Sequence, residues 1–412
     1  MASSVHIETL IVGGGQAGLA TSYWLTQLGH PHLVLEQASQ PAHVWQDDRW
    51  DSFTFVTPNW MIQLPGAAYQ GDAPDGFLPR DEIVAYFAGY ATQFRLPIHY
   101  GERVRSVERT DDDKAYSIQT EAARYEAINV VIATGMYQRP KIPALSASLP
   151  AEIAQLPSGS YRRPEALAPG AVLVVGSGQS GCQIAEELYQ SGRTVYLCVG
   201  RAGRMPRRYR GRDAWTWAYL MGTVDRNVTE LQSPQERFEA HPHLSGKDGG
   251  HTINLHRFAR DGVKLVGHLR GARDGRLSFA PDLRESLAAA DKVEADFCDA
   301  VNRFVAKTGL DAPHEELPVL TDGYAEAEQT ELDLASANIH TVIWAIGYTF
   351  DFGFVKGPEY DATGYPVHSA GTTSIPGLYF VGLPWLRSRG SGLLFGVGKD
   401  AAWIATEISR RS

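Results

Sequence analysis

The sequence predicts an α/β fold of two Rossmann-like dinucleotide-binding domains, of the three-layer ββα type, with a helical insertion. Three observations predict it. Gly13-Gly14-Gly15-Gln16-Ala17-Gly18 follows an apolar run and opens a helical pattern, and Glu36 closes the next apolar run. The arrangement returns at Gly176-Ser177-Gly178-Gln179-Ser180-Gly181, without the acid. Two further apolar runs near the C-terminus end in Gly347 and Gly382, as strands of such sheets do.

The elements follow in order. Residues 5–12 read as a buried strand. Residues 16–28 read as a helix with Leu19, Tyr23, Trp24 and Leu28 on one stripe, stopped by Gly29 and Pro31. Residues 32–36 form the second strand. Residues 40–79, rich in Pro, Gly, Asp and aromatics, read as ordered loop. A helix is expected over 80–95, short strands near 102–109 and 114–120, and a buried strand at 128–133 ending in Thr134-Gly135. A Pro-rich connector precedes the restart: strand 171–175, helix 179–191 and strand 194–199. Residues 222–250 read as a polar excursion and 281–308 as a long amphipathic helix. Strands at 340–346 and 377–381 and a helix from about 396 to 409 complete the chain.

Composition narrows the function class. The chain has 412 residues, 43% apolar and 21% charged, with a net charge of −9. The acidic balance argues against nucleic-acid binding. No apolar run reaches the roughly 20 residues of a membrane span, and the N-terminus lacks the basic start of a signal peptide. The three cysteines, Cys182, Cys198 and Cys298, form no CxxC pair, so a cytoplasmic location is expected and a disulfide reductase is disfavoured. Cys182 reads as a packing residue. His241, His243, His251 and His256 lack the spacing of a metal site, and no metal is expected.

The glycine segments carry the chemistry. Gly13 permits a tight turn, Gly15 lets a pyrophosphate approach, and Gly18 lets helix and strand pack closely. The helix start at Gln16 and Ala17 offers free N–H groups and a partial positive charge to phosphates. Glu36 is placed to accept from ribose hydroxyls. In the second unit Gly176, Ser177, Gly178, Gln179, Ser180 and Gly181 play the corresponding parts. There Arg201 stands near the acid's place, with Arg204 following. Arginine suits a 2′-phosphate that a carboxylate would repel, which points to NADPH rather than NADH. Arg207, Arg208, Arg210 and Arg212 read as a solvated basic loop.

In these segments the chain resembles the flavin-containing monooxygenases and their Baeyer–Villiger relatives. The resemblance runs in order through GGGQAG with Glu36, Val44-Trp45, Ala133-Thr134-Gly135-Met136-Tyr137, GSGQSG, Trp344-Ala345-Ile346-Gly347-Tyr348 and Gly377-Leu378-Tyr379-Phe380-Val381-Gly382-Leu383. It departs at the fingerprint FxGxxxHxxx[FY]. Ala151, Ile153 and Pro157 occupy the Phe, Gly and His positions, while Tyr161 survives.

The resemblance implies FAD in the first unit and NADPH in the second. It implies a monooxygenase that inserts one oxygen atom from O2 into a small amine, sulfide or ketone through a flavin C4a-(hydro)peroxide. A homodimer is common in the family. The implied cofactor contacts add Gln37, Val44, Trp45, Val104, Ala133, Thr134, Gly135, Tyr161, Gly347, Gly382 and Leu383. Asn59 is the candidate for steering the oxygenated flavin; the other reading makes it a turn residue after Pro58. Two alternatives stay open: an NADPH-dependent reductase or oxidase without oxygenation, and a nucleotide-binding redox sensor. The expected division is an FAD domain over 1–163 and 330–412, with an NADPH domain over 164–329 carrying a helical insertion at about 212–325.

Overall fold

The computed structural model describes residues 4–239 and 242–411. His241 lies outside them. Two parallel sheets organise the chain. In the first, the strands run Ile98–Tyr100, His32–Glu36, Val5–Val12, Arg124–Ile132 and Leu378–Phe380, all parallel. In the second they run Lys264–Val266, Val195–Cys198, Ala171–Val175, Ile339–Trp344 and Ala154–Pro157, again all parallel. The two orders correspond strand for strand. Central strands covered on both faces must be apolar along their length. Ala171–Val175 is buried at every position, and the last four residues of Val5–Val12 are buried too.

The long strand Arg124–Ile132 joins two layers. Its C-terminal half pairs with Leu378–Phe380, and its N-terminal half continues into an antiparallel meander with Tyr116–Thr120 and Val104–Arg109. The second unit carries a comparable meander at Leu269–Arg273, Arg276–Phe279 and Glu331–Asp333. The helices Gln16–Gln27 and Val397–Arg411 pack against each other on the first sheet. The helix Leu283–Thr308 ends at Gly309, whose φ of +67° is the left-handed turn glycine favours.

Sheet membership departs from the expected division at two strands. Ala154–Pro157, expected in the first domain, lies at the edge of the second sheet. Ile339–Trp344, expected in the last segment of the first domain, sits centrally in the second sheet. We therefore propose that the second unit spans about 154 to 347. The 212–325 region is not purely helical either. It contributes the strand Lys264–Val266 to the second sheet and two strands of the meander. Besides Leu283–Thr308 its helices are short, Ala214–Leu220 and Leu255–Arg260.

Two connectors join the sheets side by side. Arg139–Pro140 pairs antiparallel with Tyr348–Thr349. Tyr137 meets Tyr348 edge to face at 5.4 Å, and Arg139 pairs with Asp351 at 2.9 Å. Each connector starts at a strand end facing a glycine turn, so the two turns share one seam.

Candidate functional site

The two glycine turns are near copies. Gly13 has φ +105° and Gly176 has φ +106°. A Cβ on Gly13 would lie 2.7 Å from the Ala133 carbonyl oxygen, and one on Gly176 2.6 Å from that of Ala345. A Cβ on Gly18 would overlap the Gly13 carbonyl oxygen, and one on Gly181 that of Gly176. These positions admit only hydrogen. Gly15 and Gly178 face open space, with nothing within 4 Å of a Cβ built there. Both are N-caps without a side-chain hydrogen bond. Each turn thus forms an open cradle before uncapped helix N–H groups, which fits a diphosphate. Ala17, Gln16 and Ser180 stand at these helix starts.

The first cradle has a fixed acid. Glu36 Oε2 accepts from Gly14 N at 2.6 Å, and Oε1 accepts from Ala38 N at 2.8 Å. Backbone donors therefore fix the carboxylate beside the first turn. Gly382, at φ +79°, abuts Ala17 so closely that a Cβ would overlap the alanine methyl. Gln16 Nε2 donates to Gly392 O at 2.8 Å, tying the cradle to the loop before the last helix. Ala133 N donates to Val12 O at 2.9 Å. Gln138 Nε2 donates to Thr134 Oγ1 at 2.7 Å and Gly135 O at 3.0 Å. Gly135 and Gly347 both take positive φ beside open space.

Trp45 is half-buried against Phe53, Phe55 and Phe87 at 5.0–6.2 Å, with the Arg49 guanidinium 5.3 Å from its ring. It forms part of an aromatic wall. Gln37 is exposed, Val44 is 38% exposed, and Val104 is half-buried at a strand start.

The structure engages or buries the side chains of four expected site residues. Asn59 is buried, and its amide serves its own loop: Oδ1 accepts from Leu78 N at 2.8 Å and Nδ2 donates to Ala73 O at 2.9 Å. It is a loop staple, not a group turned toward a reacting centre. Tyr161 is wholly buried and donates to Glu187 Oε2 at 2.8 Å, so it packs rather than binds. The Leu383 side chain is buried in the core cluster that also holds Leu378 and Phe380. Arg204 is buried between Asp291 and Glu294, with 2.7 Å to each. A guanidinium so held does not reach for a phosphate.

Arg201 remains free to act. Its side chain is 81% exposed and, among the described residues, meets only Glu285, at 3.8 Å. Ser177 Oγ accepts from Gly200 N at 2.8 Å, fixing the turn that presents Arg201. Gln179 exchanges hydrogen bonds with both backbone atoms of Leu244, joining the second helix start to the excursion loop. If Arg201 contacts a 2′-phosphate, Arg201→Ala raises the KM for NADPH about tenfold and leaves that for NADH unchanged. Paired steady-state titrations check this.

Arg207 and Arg210 are structural pins rather than solvated charges. Arg207 is 2% exposed and donates to Val56 O at 2.8 Å and Asp213 Oδ1 at 2.5 Å. Arg210 donates to Pro313 O, Ala312 O and Asn302 Oδ1. Cys182 is buried and its thiol donates to Ser177 O at 3.2 Å; burial pushes the thiol up, away from thiolate. The Cys198 and Cys298 thiols are also raised by burial.

Sequence reasoning missed Asp400. It is 2% exposed, in the first turn of the last helix. Burial raises its carboxyl to about 6, against help from Ser391 and Arg387. The Ser391 hydroxyl oxygen accepts from Arg387 N at 3.1 Å and Ser388 N at 3.0 Å, and its proton is left for the Asp400 carboxyl. A carboxyl raised in the folded state stabilises below its unfolded value near 4, and that stability is lost as pH rises through about 6. Asp400→Asn should gain about 2–3 kcal/mol on the parent protein between pH 4 and pH 7. Urea unfolding of both proteins at the two pH values measures it.

Residues 10–233 match the family model described as pyridine nucleotide-disulphide oxidoreductase. An uncharacterized oxidoreductase CzcO-like from Geobacillus kaustophilus (strain HTA426) is 31% identical over 404 residues, covering 98% of both chains. A flavin-containing monooxygenase from Stenotrophomonas maltophilia superposes with TM-score 0.66 at 20% identity, covering 99% of both chains. OTEMO, in a complex with FAD and NADP, superposes with TM-score 0.58 at 16% identity, covering 99% of this chain and 86% of OTEMO. These two likenesses show a fold that carries FAD and NADP in another enzyme. No helix among the described residues is long and apolar enough to cross a membrane. With the family model matching more than half of the chain and a relative matching nearly all of it, this chain belongs to the pyridine nucleotide-disulphide oxidoreductase family and is an oxidoreductase enzyme.

Proposed function

We propose that the enzyme is an FAD-dependent, NADPH-consuming monooxygenase that inserts one oxygen atom from O2 into a small amine, sulfide or ketone. The observation that carries this reading is the pair of glycine cradles, the first of which has a carboxylate, Glu36, fixed beside it by backbone donors. FAD belongs in the first cradle, held by the N–H groups at Gly15, Gln16 and Ala17 and by Glu36. NADPH belongs in the second, held at Gly178, Gln179 and Ser180 and by Arg201. The chemistry the bound cofactors supply is hydride from the nicotinamide and electron transfer to oxygen from the flavin.

The chain's own residues do the rest. The helix starts offset diphosphate charge. Glu36 orients a ribose, while Trp45, Phe53 and Phe55 shield one side of the site from water. No side chain is required as a general acid or base. We propose cytoplasmic residence and a homodimer as the working form.

A second reading rests on one observation. Pro157 stands at the fingerprint histidine's position and is locked in an edge strand, paired with Trp344. That favours an NADPH-dependent reductase or oxidase that passes electrons on without oxygenating. The test is oxygen stoichiometry. The enzyme is turned over with NADPH and a panel of amines, sulfides and ketones, while O2 uptake and H2O2 release are recorded together. The monooxygenase reading expects at least one substrate for which O2 uptake exceeds H2O2 release and an oxygenated product accumulates. Matching uptake and release with every substrate would establish the oxidase.

A further inference from the structure

Beside the second cradle lies a cavity of about 150 Å³, bordered by Val175, Gly176, Val199, Gly200, His268 and Leu269. His268 follows the strand Lys264–Val266, so it arrives at the same sheet edge as Gly200 and Arg201. Its backbone is pinned twice: its N–H donates to Asp282 Oδ1 at 3.0 Å, and its carbonyl accepts from Ala280 N at 2.8 Å. Gly267 must be glycine here, because a Cβ would overlap the Ala280 carbonyl oxygen. The ring is pinned as well, with Nδ1 2.8 Å from Asp282 Oδ2. Its other nitrogen, Nε2, faces Gly200, 3.5 Å from where a Cβ would stand. Among the described residues Nε2 has no hydrogen-bond partner, and the side chain is 40% exposed toward the cavity.

We propose that His268, positioned by Asp282, is a specificity-determining residue that reads the substituent on the 2′-oxygen of the adenosine ribose. This rests on the reading of the second cradle as the NADPH site. The chemistry follows from the pinned nitrogen. Asp282 is ionised: burial pushes its carboxyl up, but the backbone N–H and ring of His268 pull it below its ordinary value. A carboxylate at Nδ1 keeps a proton on that nitrogen. In the neutral ring Nε2 is then an acceptor, suited to a 2′-hydroxyl donor. In the protonated ring Nε2 is a donor, suited to a 2′-phosphate. The other charged groups facing this corner are Arg201 with Glu285 at 3.8 Å, and Arg270 at 3.9 Å from Asp282. Arg201 holds the phosphate by its permanent charge, and His268 adds a second grip through Nε2.

The experiment is calorimetric and needs no turnover. Adenosine 2′,5′-bisphosphate and adenosine 5′-monophosphate, which differ only in the 2′-phosphate, are titrated into the protein. The wild type should prefer the bisphosphate, and H268Q should lower that preference about tenfold. H268R, a permanent cation at a part-exposed position, should restore it. A preference equal in wild type and H268Q would overturn the proposal while leaving the NADPH reading intact. Equal binding of the two ligands by the wild type would overturn both.

Discussion

Gly18→Ala should yield protein that purifies without a yellow chromophore, whereas Gly181→Ala should keep the chromophore and lose NADPH. The substitutions are chemically identical. Each adds a methyl that overlaps a carbonyl oxygen of its own turn, Gly13 in one case and Gly176 in the other. Backbone cannot yield as a flexible side chain can, so the turn must open and the helix start must move. A displacement of that kind is among the costliest single changes, several kcal/mol, and it should weaken the affected site by more than about a hundredfold. Flavin content after purification and NADPH binding by difference spectroscopy separate the two. Parallel losses in both variants would mean that the cradles are not independent sites.

Arg204→Met should lower stability by about 3–5 kcal/mol and leave NADPH affinity unchanged. Asp291 and Glu294 both depend on this guanidinium, and it is 5% exposed. Removing one partner of a buried ion cluster strands the remaining charge in low dielectric. His256 and the Tyr324 hydroxyl also approach Asp291, at 3.2 and 2.6 Å, but neither supplies a permanent cation. Denaturant unfolding measures the loss, and NADPH titration of the folded variant measures the rest. A tenfold drop in NADPH affinity with stability intact would return Arg204 to the phosphate role.

These two expectations mark where sequence reading works and where it stops. The cradles are legible because their geometry is local. The positive φ at Gly13 and the contact between Gly18 and the Gly13 carbonyl oxygen lie within six residues, and the flanking strands announce themselves as apolar runs. Arg204 looks like a phosphate ligand in the sequence because its partners stand on a helix some 90 residues away, beyond any pattern in the chain. Asn59 follows the same logic over a shorter range: a loop that folds on itself uses up the amide with Ala73 and Leu78. Tyr161 kept its place in the fingerprint, yet Glu187 turns it inward.

Short strands hid the rest. Lys264–Val266 has three residues and Ala154–Pro157 has four, too few for a period of two to stand out. Without the first, nothing brings His268 to the nucleotide edge. Without the second, nothing shows that the second unit begins before its own glycine turn. The sheet registers also explain why the sequence alone assigns Ile339–Trp344 to the other half. Both units need a fourth strand, and only its pairing with Ala171–Val175 decides which unit it serves.

The most direct measurement is an anaerobic titration of the purified, coloured protein with NADPH, followed in the visible absorbance. Occupied sockets facing one seam should let each equivalent of donor bleach one equivalent of flavin, with NADH doing so only at much higher concentration. A colourless preparation that takes up no FAD, or a flavin spectrum unmoved by NADPH, would contradict the account.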